Sequence, residues 1–296
     1  MRRRSRRSDS LRKFAFADLP VRGELVHLDQ AWREVRDKDD YPAEIRAVLG
    51  EALAASVLLA SCLKFEGLLT LQLTGDGPMN MLVVQCSNRR EVRGLAKWRG
   101  DVAGSAFGSL AGPGRMAITI ESGEERRRYQ GIVPIVGDSL AESLEAYFRQ
   151  SVQVPTRIWL NSDPSGVAGM LLQRIPEAGD DSAEAAWQHV QALADTLAMA
   201  ELADLEDEEI LRRLFDQEDL RIYEPGAVDF RCSCSQQRVE TTLRTLGQGE
   251  VEKLLAEMGH IEVRCEFCND RYRFDAEDAG SLFGEPGMVE SPPTLH

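Results

Sequence analysis

Four of the six cysteines in this chain fall in one C-terminal arrangement, Cys232-x-Cys234 followed after thirty residues by Cys265-x-x-Cys268. Two close thiol pairs separated by one foldable segment can converge as a tetrahedral, all-thiolate site. Zinc is the natural ion for four thiolates, with no position left open for substrate. Structural sites usually carry C-x-x-C at both ends, because a two-residue spacer makes a comfortable knuckle turn; the C-x-C pair here is tighter. Around the cysteines, from about Asp229 to Phe283, the chain offers few apolar residues. The metal must therefore supply most of the module's folding free energy, roughly 10–16 kcal/mol in small zinc modules. Ser235 caps a predicted helix running to about Leu246, with Val239 and Leu243 inward. Gly249 to Gly259 predicts a second helix, with Val251, Leu254, Leu255 and Met258 on one face. Whether such a zinc is a structural staple or a switch is open at this point.

Upstream, residues 14–178 read as one α+β domain. VRGELVHL (Val21 to Leu28) is an early apolar strand, followed by a helix around Ala31 to Asp37. Pro42 to Leu63 has strong helical composition, with Ile45, Val48, Leu49, Leu53, Val57 and Leu58 near helical spacing. Alternating β-rich runs come next: Leu68 to Leu73, Met81 to Cys86, Met116 to Ile120 and Tyr129 to Ile135. Ser139 to Gln150 predicts another helix, and Arg157 to Leu160 and Gly169 to Ile175 predict strands.

The composition changes after Pro176. Between Gly179 and Leu220 thirteen acidic residues face two arginines, a net charge of −11. Trp187, Val190, Leu193 and Leu197 share one helical face; Leu202, Leu205, Ile210, Leu211, Leu214 and Phe215 form a second apolar set. This is amphipathic helix with acidic self-repulsion, marginal unless docked on something. A plain solvated connector is the alternative.

Several function classes are excluded or disfavoured. A net charge of −14 and a pI near 4.9 argue against a duplex-DNA binder. No apolar run of about 18 residues is present, so no membrane-spanning helix is expected. The basic start (Arg2, Arg3, Arg4, Arg6, Arg7) lacks the apolar stretch of a secretory signal and reads as a solvated, disordered tail. Without export the expected compartment is the reducing cytoplasm. Cys62 and Cys86 sit in apolar runs and read as buried small hydrophobes. His27, His189, His260 and His296 are scattered, Gly108, Gly112 and Gly114 form no phosphate-binding loop, and no carboxylate pair stands out. No enzyme is expected.

Several short motifs punctuate the core: VRGEL at Val21, DYP at Asp40 to Pro42, LKFEG at Leu63 to Gly67 and GDGPMN at Gly75 to Asn80. RYQG at Arg128 to Gly131, QVPTR at Gln153 to Arg157 and GMLLQ at Gly169 to Gln173 follow. With the cysteine pattern, this set resembles the heat-shock protein 33 family of redox-regulated holdase chaperones. The resemblance implies a two-layer α+β core at 14–178 that binds clients, a helical linker at 179–228 and a zinc domain at 229–283, between disordered tails at 1–13 and 284–296. It also implies one zinc on Cys232, Cys234, Cys265 and Cys268 in a reduced, inactive monomer. Oxidative stress would pair Cys232 with Cys234 and Cys265 with Cys268, release the zinc and undock the linker. Unfolded clients would then bind without ATP to a homodimer, through surface that includes Trp187, Leu193, Leu197, Leu211, Leu214 and Phe215. A C-x-C disulfide is strained and readily reduced, which suits a switch. The other class considered is a zinc-module regulator or adaptor binding nucleic acid. Against it, Arg231, Arg238, Arg244, Lys253, Arg264, Arg271 and Arg273 are offset by comparable numbers of carboxylates.

Overall fold

The computed structural model describes residues 9–283, apart from 64, 103, 105, 124–126 and 177–180. The chain opens with strands β1 (Ser10–Phe16) and β2 (Val21–Leu28) and helices α1 (Gln30–Arg36) and α2 (Ala43–Cys62). A meander follows: β3 (Gly67–Gly75), β4 (Met79–Ser87), β5 (Glu91–Trp98), a short helix α3 (Phe107–Ala111), β6 (Gly114–Ser122) and β7 (Arg127–Val133). Helix α4 (Leu140–Tyr147) runs into a π turn at Phe148–Val152, and β8 (Thr156–Asp163) and β9 (Gly166–Arg174) close the domain. Three helices come next, α5 (Asp181–Ala194), α6 (Met199–Asp204) and α7 (Asp207–Phe215), then short strands β10 (Leu220–Ile222), β11 (Gly226–Ala227) and β12 (Asp229–Phe230). The cysteine-bearing segment carries α8 (Gln236–Leu246), α9 (Gln248–Met258), the hairpin β13 (Ile261–Arg264) and β14 (Arg271–Phe274), and α10 (Ala276–Phe283).

Two six-stranded sheets are built from these strands. One has the order β10-β1-β2-β9-β8 with β11 also on β1; the other runs β12-β5-β4-β3-β6-β7. Every pairing in them is antiparallel except β12 with β5. Helix α2 packs against strands of both sheets, and its Ile45, Leu49, Leu53 and Leu58 are fully buried in the shared core. By length and composition α2 could cross a membrane, which corrects the expectation that no segment would qualify; thirteen of its twenty residues are buried inside the fold instead. The α+β class holds, with α2 as the layer between the sheets.

Burial on both faces explains why β9 reads as a nearly continuous apolar run and why even Glu24 and His27 of β2 are buried. One face of their sheet meets α2, and the other meets α5 to α7. The GDGPMN turn is explained by close backbone approach. Its Asp76 and Gly77 amides donate to the Pro113 and Ala111 carbonyls at 2.9 and 3.1 Å. A Cβ on Gly77 would lie 2.3 Å from the Leu110 oxygen, so only glycine fits.

The expected N-terminal tail is corrected in part. Ser10 to Lys13 belong to β1, paired with β2 from Ser10↔His27 onward. The Asp9 carboxylate accepts from the amides of Asp29, Gln30 and Ala31 and so holds the start of α1. Residues 1–8, the C-terminal tail 284–296, Lys64 of LKFEG and the first two residues of the linker at 179–180 lie outside the described residues. The chain divides into two compact units between Arg231 and Cys232. Asp229 and Phe230 thus go with the first unit, because they pair with Glu91 and Val92 of β5.

Candidate functional site

The first cysteine pair follows β12 in extended chain, and Ser235 then caps α8 by accepting the Arg238 amide. The second pair sits in the β13–β14 turn. There the Asn269 amide donates to the Cys265 carbonyl and the Cys265 amide to the Asp270 carbonyl, both at 2.8 Å. Asn269 takes the left-handed conformation (φ 66°) that closes this knuckle, a conformation asparagine tolerates better than most residues.

These turns bring all four sulfurs within 4.8 Å of one another. Cys232 Sγ lies 3.7 Å from Cys265 Sγ, and Cys234 Sγ lies 3.2 Å from Cys268 Sγ. Tetrahedral ligation at the usual Zn–S length of about 2.3 Å needs sulfurs roughly 3.8 Å apart, so this donor set fits such an ion. The Tyr272 hydroxyl donates to Cys234 Sγ at 3.1 Å, a contact the cysteine pattern alone does not reveal. Around the site, among the described residues, only Leu243, Val251, Ile261, Phe274 and Ala279 form a buried apolar cluster. Leu254 and Leu255 are half-buried, whereas Met258, expected on the same inward face, is 54% exposed because α9 ends there at Gly259.

The other two cysteines lie in the first unit. Burial pushes the Cys86 thiol up to about 12, and it pushes the Cys62 thiol up as well, with the charge of Glu24 adding to it. Neither favours the reactive thiolate.

The linker side chains lie on the outer face of the sheet containing β1, β2 and β9. Trp187, Leu197, Leu211, Leu214 and Phe215 are buried and Leu193 is half-buried, in one cluster with Phe14, Phe16, Leu25, Trp159 and Met170. The Phe215 ring meets Phe16 edge-on at 5.0 Å. Leu197 reaches this cluster from the turn after α5 rather than from the helix itself.

The acidity of the linker, which reads in sequence as self-repulsion, is matched by cations of the core. Arg174 pairs with Glu184 at 2.5 Å, and Arg157 bridges Glu145 of α4 and Asp195 at 2.9 and 2.8 Å. Asp207, at the start of α7, is buried between Arg12 Nε and His27 Nδ1, each 2.9 Å away. The other His27 nitrogen faces the Leu202 carbonyl at 3.0 Å. Burial alone would raise the Asp207 carboxyl, but His27 and Arg12 outweigh it and hold it below the usual carboxylate range. No local signal could have found these partners, since Arg12 and Asp207 are 195 residues apart.

The model of the Hsp33 protein family matches residues 9–275 of this chain. A 33 kDa chaperonin of Nitrosococcus oceani is 44% identical over 286 residues, 97% of either chain. One from Chromobacterium violaceum is 46% identical over 277 residues, 93% of this chain and 94% of that one. The crystal structure of the 33 kDa chaperonin (heat shock protein 33 homolog) of Thermotoga maritima shares the fold. Its TM-score is 0.79 over 93% of this chain and 97% of its own, at 24% identity.

Proposed function

We infer the function from the premise that this chain belongs to the Hsp33 family: it is a chaperone, and its cysteine module is the redox switch of a holdase. The observation that carries the switch is the convergence of four sulfurs within 4.8 Å in a module with five buried apolar side chains. In the reduced protein Cys232, Cys234, Cys265 and Cys268 hold one zinc, which supplies the folding free energy that so small a core lacks.

A two-electron oxidant such as hydrogen peroxide takes two electrons from the thiolates of Cys232 and Cys234 and two protons from solvent. It leaves a disulfide and two waters; Cys265 and Cys268 react likewise with a second equivalent. Near neighbours pair because their effective concentration is highest once the site opens. With its ligands consumed the module unfolds. Linker helices α5 to α7 then leave the core sheet. Trp187, Leu193, Leu197, Leu211, Leu214 and Phe215, with the core face they covered, become surface for unfolded clients. On this reading the linker at 179–228 and the cysteine module from Cys232 onward act as separate parts, no nucleotide is used and no bond in a client is made or broken. The protein works in the reducing cytoplasm as a monomer that becomes a homodimer when activated.

The test measures zinc content and suppression of client aggregation side by side, before and after peroxide, with disulfides mapped by peptide analysis. The expected result is one zinc and no suppression when reduced, and no zinc, full suppression and the two near-neighbour disulfides when oxidised. Less than half an equivalent of zinc in the reduced protein, or mainly long-range bridges such as Cys232 to Cys268, contradicts the reading.

A further inference from the structure

Between the last linker helix and Cys232 the chain runs along the sheets as edge strands. β10 and β11 pair with β1 (Phe16↔Leu220 to Phe14↔Ile222, then Leu11↔Gly226 and Ser10↔Ala227). The flanking main-chain bonds continue this ladder. The Ala17 amide donates to the Asp219 carbonyl at 2.8 Å, the Tyr223 amide to Lys13 at 3.0 Å and the Val228 amide to Asp9 at 3.0 Å.

Among residues 220–227, Leu220 packs half-buried against the apolar cluster of the sheet, and the Arg12 and Arg90 side chains donate to the Tyr223 and Ala227 carbonyls at 3.4 and 2.9 Å; the other side chains add little. Ile222 and Tyr223 are 41% and 46% exposed, and Arg221, Glu224 and Pro225 are exposed as well. A two- or three-residue strand held mainly by its backbone is the weakest kind of sheet element, and its departure leaves an open edge.

We propose that residues 220–227 occupy, in the closed protein, a binding site for extended unfolded polypeptide: the edge of β1, to which a client segment adds as a strand once they leave. This rests on the chaperone reading above. The vacated edge presents the N–H and C=O groups of Lys13, Ala15 and Ala17, because alternate residues of a strand point the same way. Those of Arg12 and Phe14 stay bonded to β2. An edge whose resident segment is held mainly through its backbone, with side chains exposed from Arg221 to Pro225, selects for backbone more than for side chains, which fits clients of unrelated sequence. The edge is also continuous with the linker-docking face. Phe14 and Phe16 of β1 lie 6.1 and 5.0 Å from the Phe215 ring, so departure of α7 would bare apolar surface beside the open backbone groups. Strand pairing supplies attachment, and the phenylalanines supply apolar contact for whatever side chains the client brings.

Residue-resolved amide exchange on the full chain tests this, with reduced, carboxymethylated α-lactalbumin as the unfolded client. Ala15 and Ala17 should be protected in the reduced protein and exchange about 100-fold faster after oxidation. They should regain at least about 10-fold protection when client is added, while Arg12 and Phe14 stay protected throughout. Ala15→Pro, which deletes an edge N–H and is tolerated best on an edge strand, should weaken client affinity of the oxidised protein about 5- to 10-fold without changing the zinc content of the reduced one. Oxidised protein that suppresses aggregation while Ala15 and Ala17 stay open, or with Ala15→Pro binding as tightly as the parent, refutes the edge and leaves the chaperone reading standing. Protection that returns without client and grows with protein concentration assigns the edge to a second copy of this chain and also refutes it. Absence of any suppression after oxidation overturns both.

Discussion

Tyr272 is the side chain through which the module tunes its own sulfur. In the zinc-bound state proposed above, its hydroxyl bond to Cys234 would draw charge from the thiolate, steadying it as a ligand and blunting it as a nucleophile. Tyr272→Phe should therefore lose on the order of 10-fold in zinc affinity and oxidise several-fold faster, as read by competition with a chromophoric chelator and by thiol titration after a peroxide pulse. Unchanged values would mean the hydroxyl is a bystander. In the core helix, Glu51 has its carboxyl raised to about 7 by burial alone. The folded state then binds this proton more tightly than the unfolded one, so stability falls as pH rises from the ordinary carboxylate range through about 7. Glu51→Gln should raise the melting temperature at pH 8 and leave it nearly unchanged at pH 5. An equal gain at both pH values would show that the carboxyl does not titrate there.

At the scale of the element, the linker is held by two unlike forces. Its apolar side chains fill the outer face of the sheet, and Arg12, His27, Arg157 and Arg174 receive its carboxylates. Leu211 and Leu214 are 1% and 4% exposed, so truncating either would cost roughly 2–5 kcal/mol. Replacing them by aspartate adds the penalty of burying charge. The Leu211→Asp/Leu214→Asp protein should keep its zinc yet suppress client aggregation when fully reduced, with linker amides exchanging freely. A double variant with open linker amides that still needs oxidation would place the limiting step elsewhere.

On the scale of the whole molecule, the two compact units rest on very different cores. Among the described residues, the first buries dozens of apolar side chains around α2 and the second buries five. Their stabilities should separate accordingly. Stripping the reduced protein with a strong chelator should abolish amide protection in α8, α9 and the β13–β14 hairpin while β2, β3, β4 and β9 keep theirs. Cooperative loss of both units under chelator would show that the metal supports the entire chain.

Much of this protein follows from local sequence. The spacing of Cys232, Cys234, Cys265 and Cys268 marks them as one donor set, because ligand type and knuckle turns are short-range matters. Alternation and helical spacing place β2 to β4, α2, α8 and α9 nearly where they form, because burial on one face leaves a period in the residues themselves. Other features have no local trace. Ser10 to Lys13 read as tail because Arg12 and Lys13 are charged, yet they complete a strand whose partners lie at Val21–Leu28 and 220–227. The edge strands β10 to β12 are too short to show a period, and only the sheets they meet make them strands. Asp207 is one of four consecutive carboxylates in sequence; the fold alone selects it for burial between Arg12 and His27. Spacing along the chain encodes what a segment can become, whereas which segment covers which face is settled only when residues nearly 200 positions apart compete for the same surface.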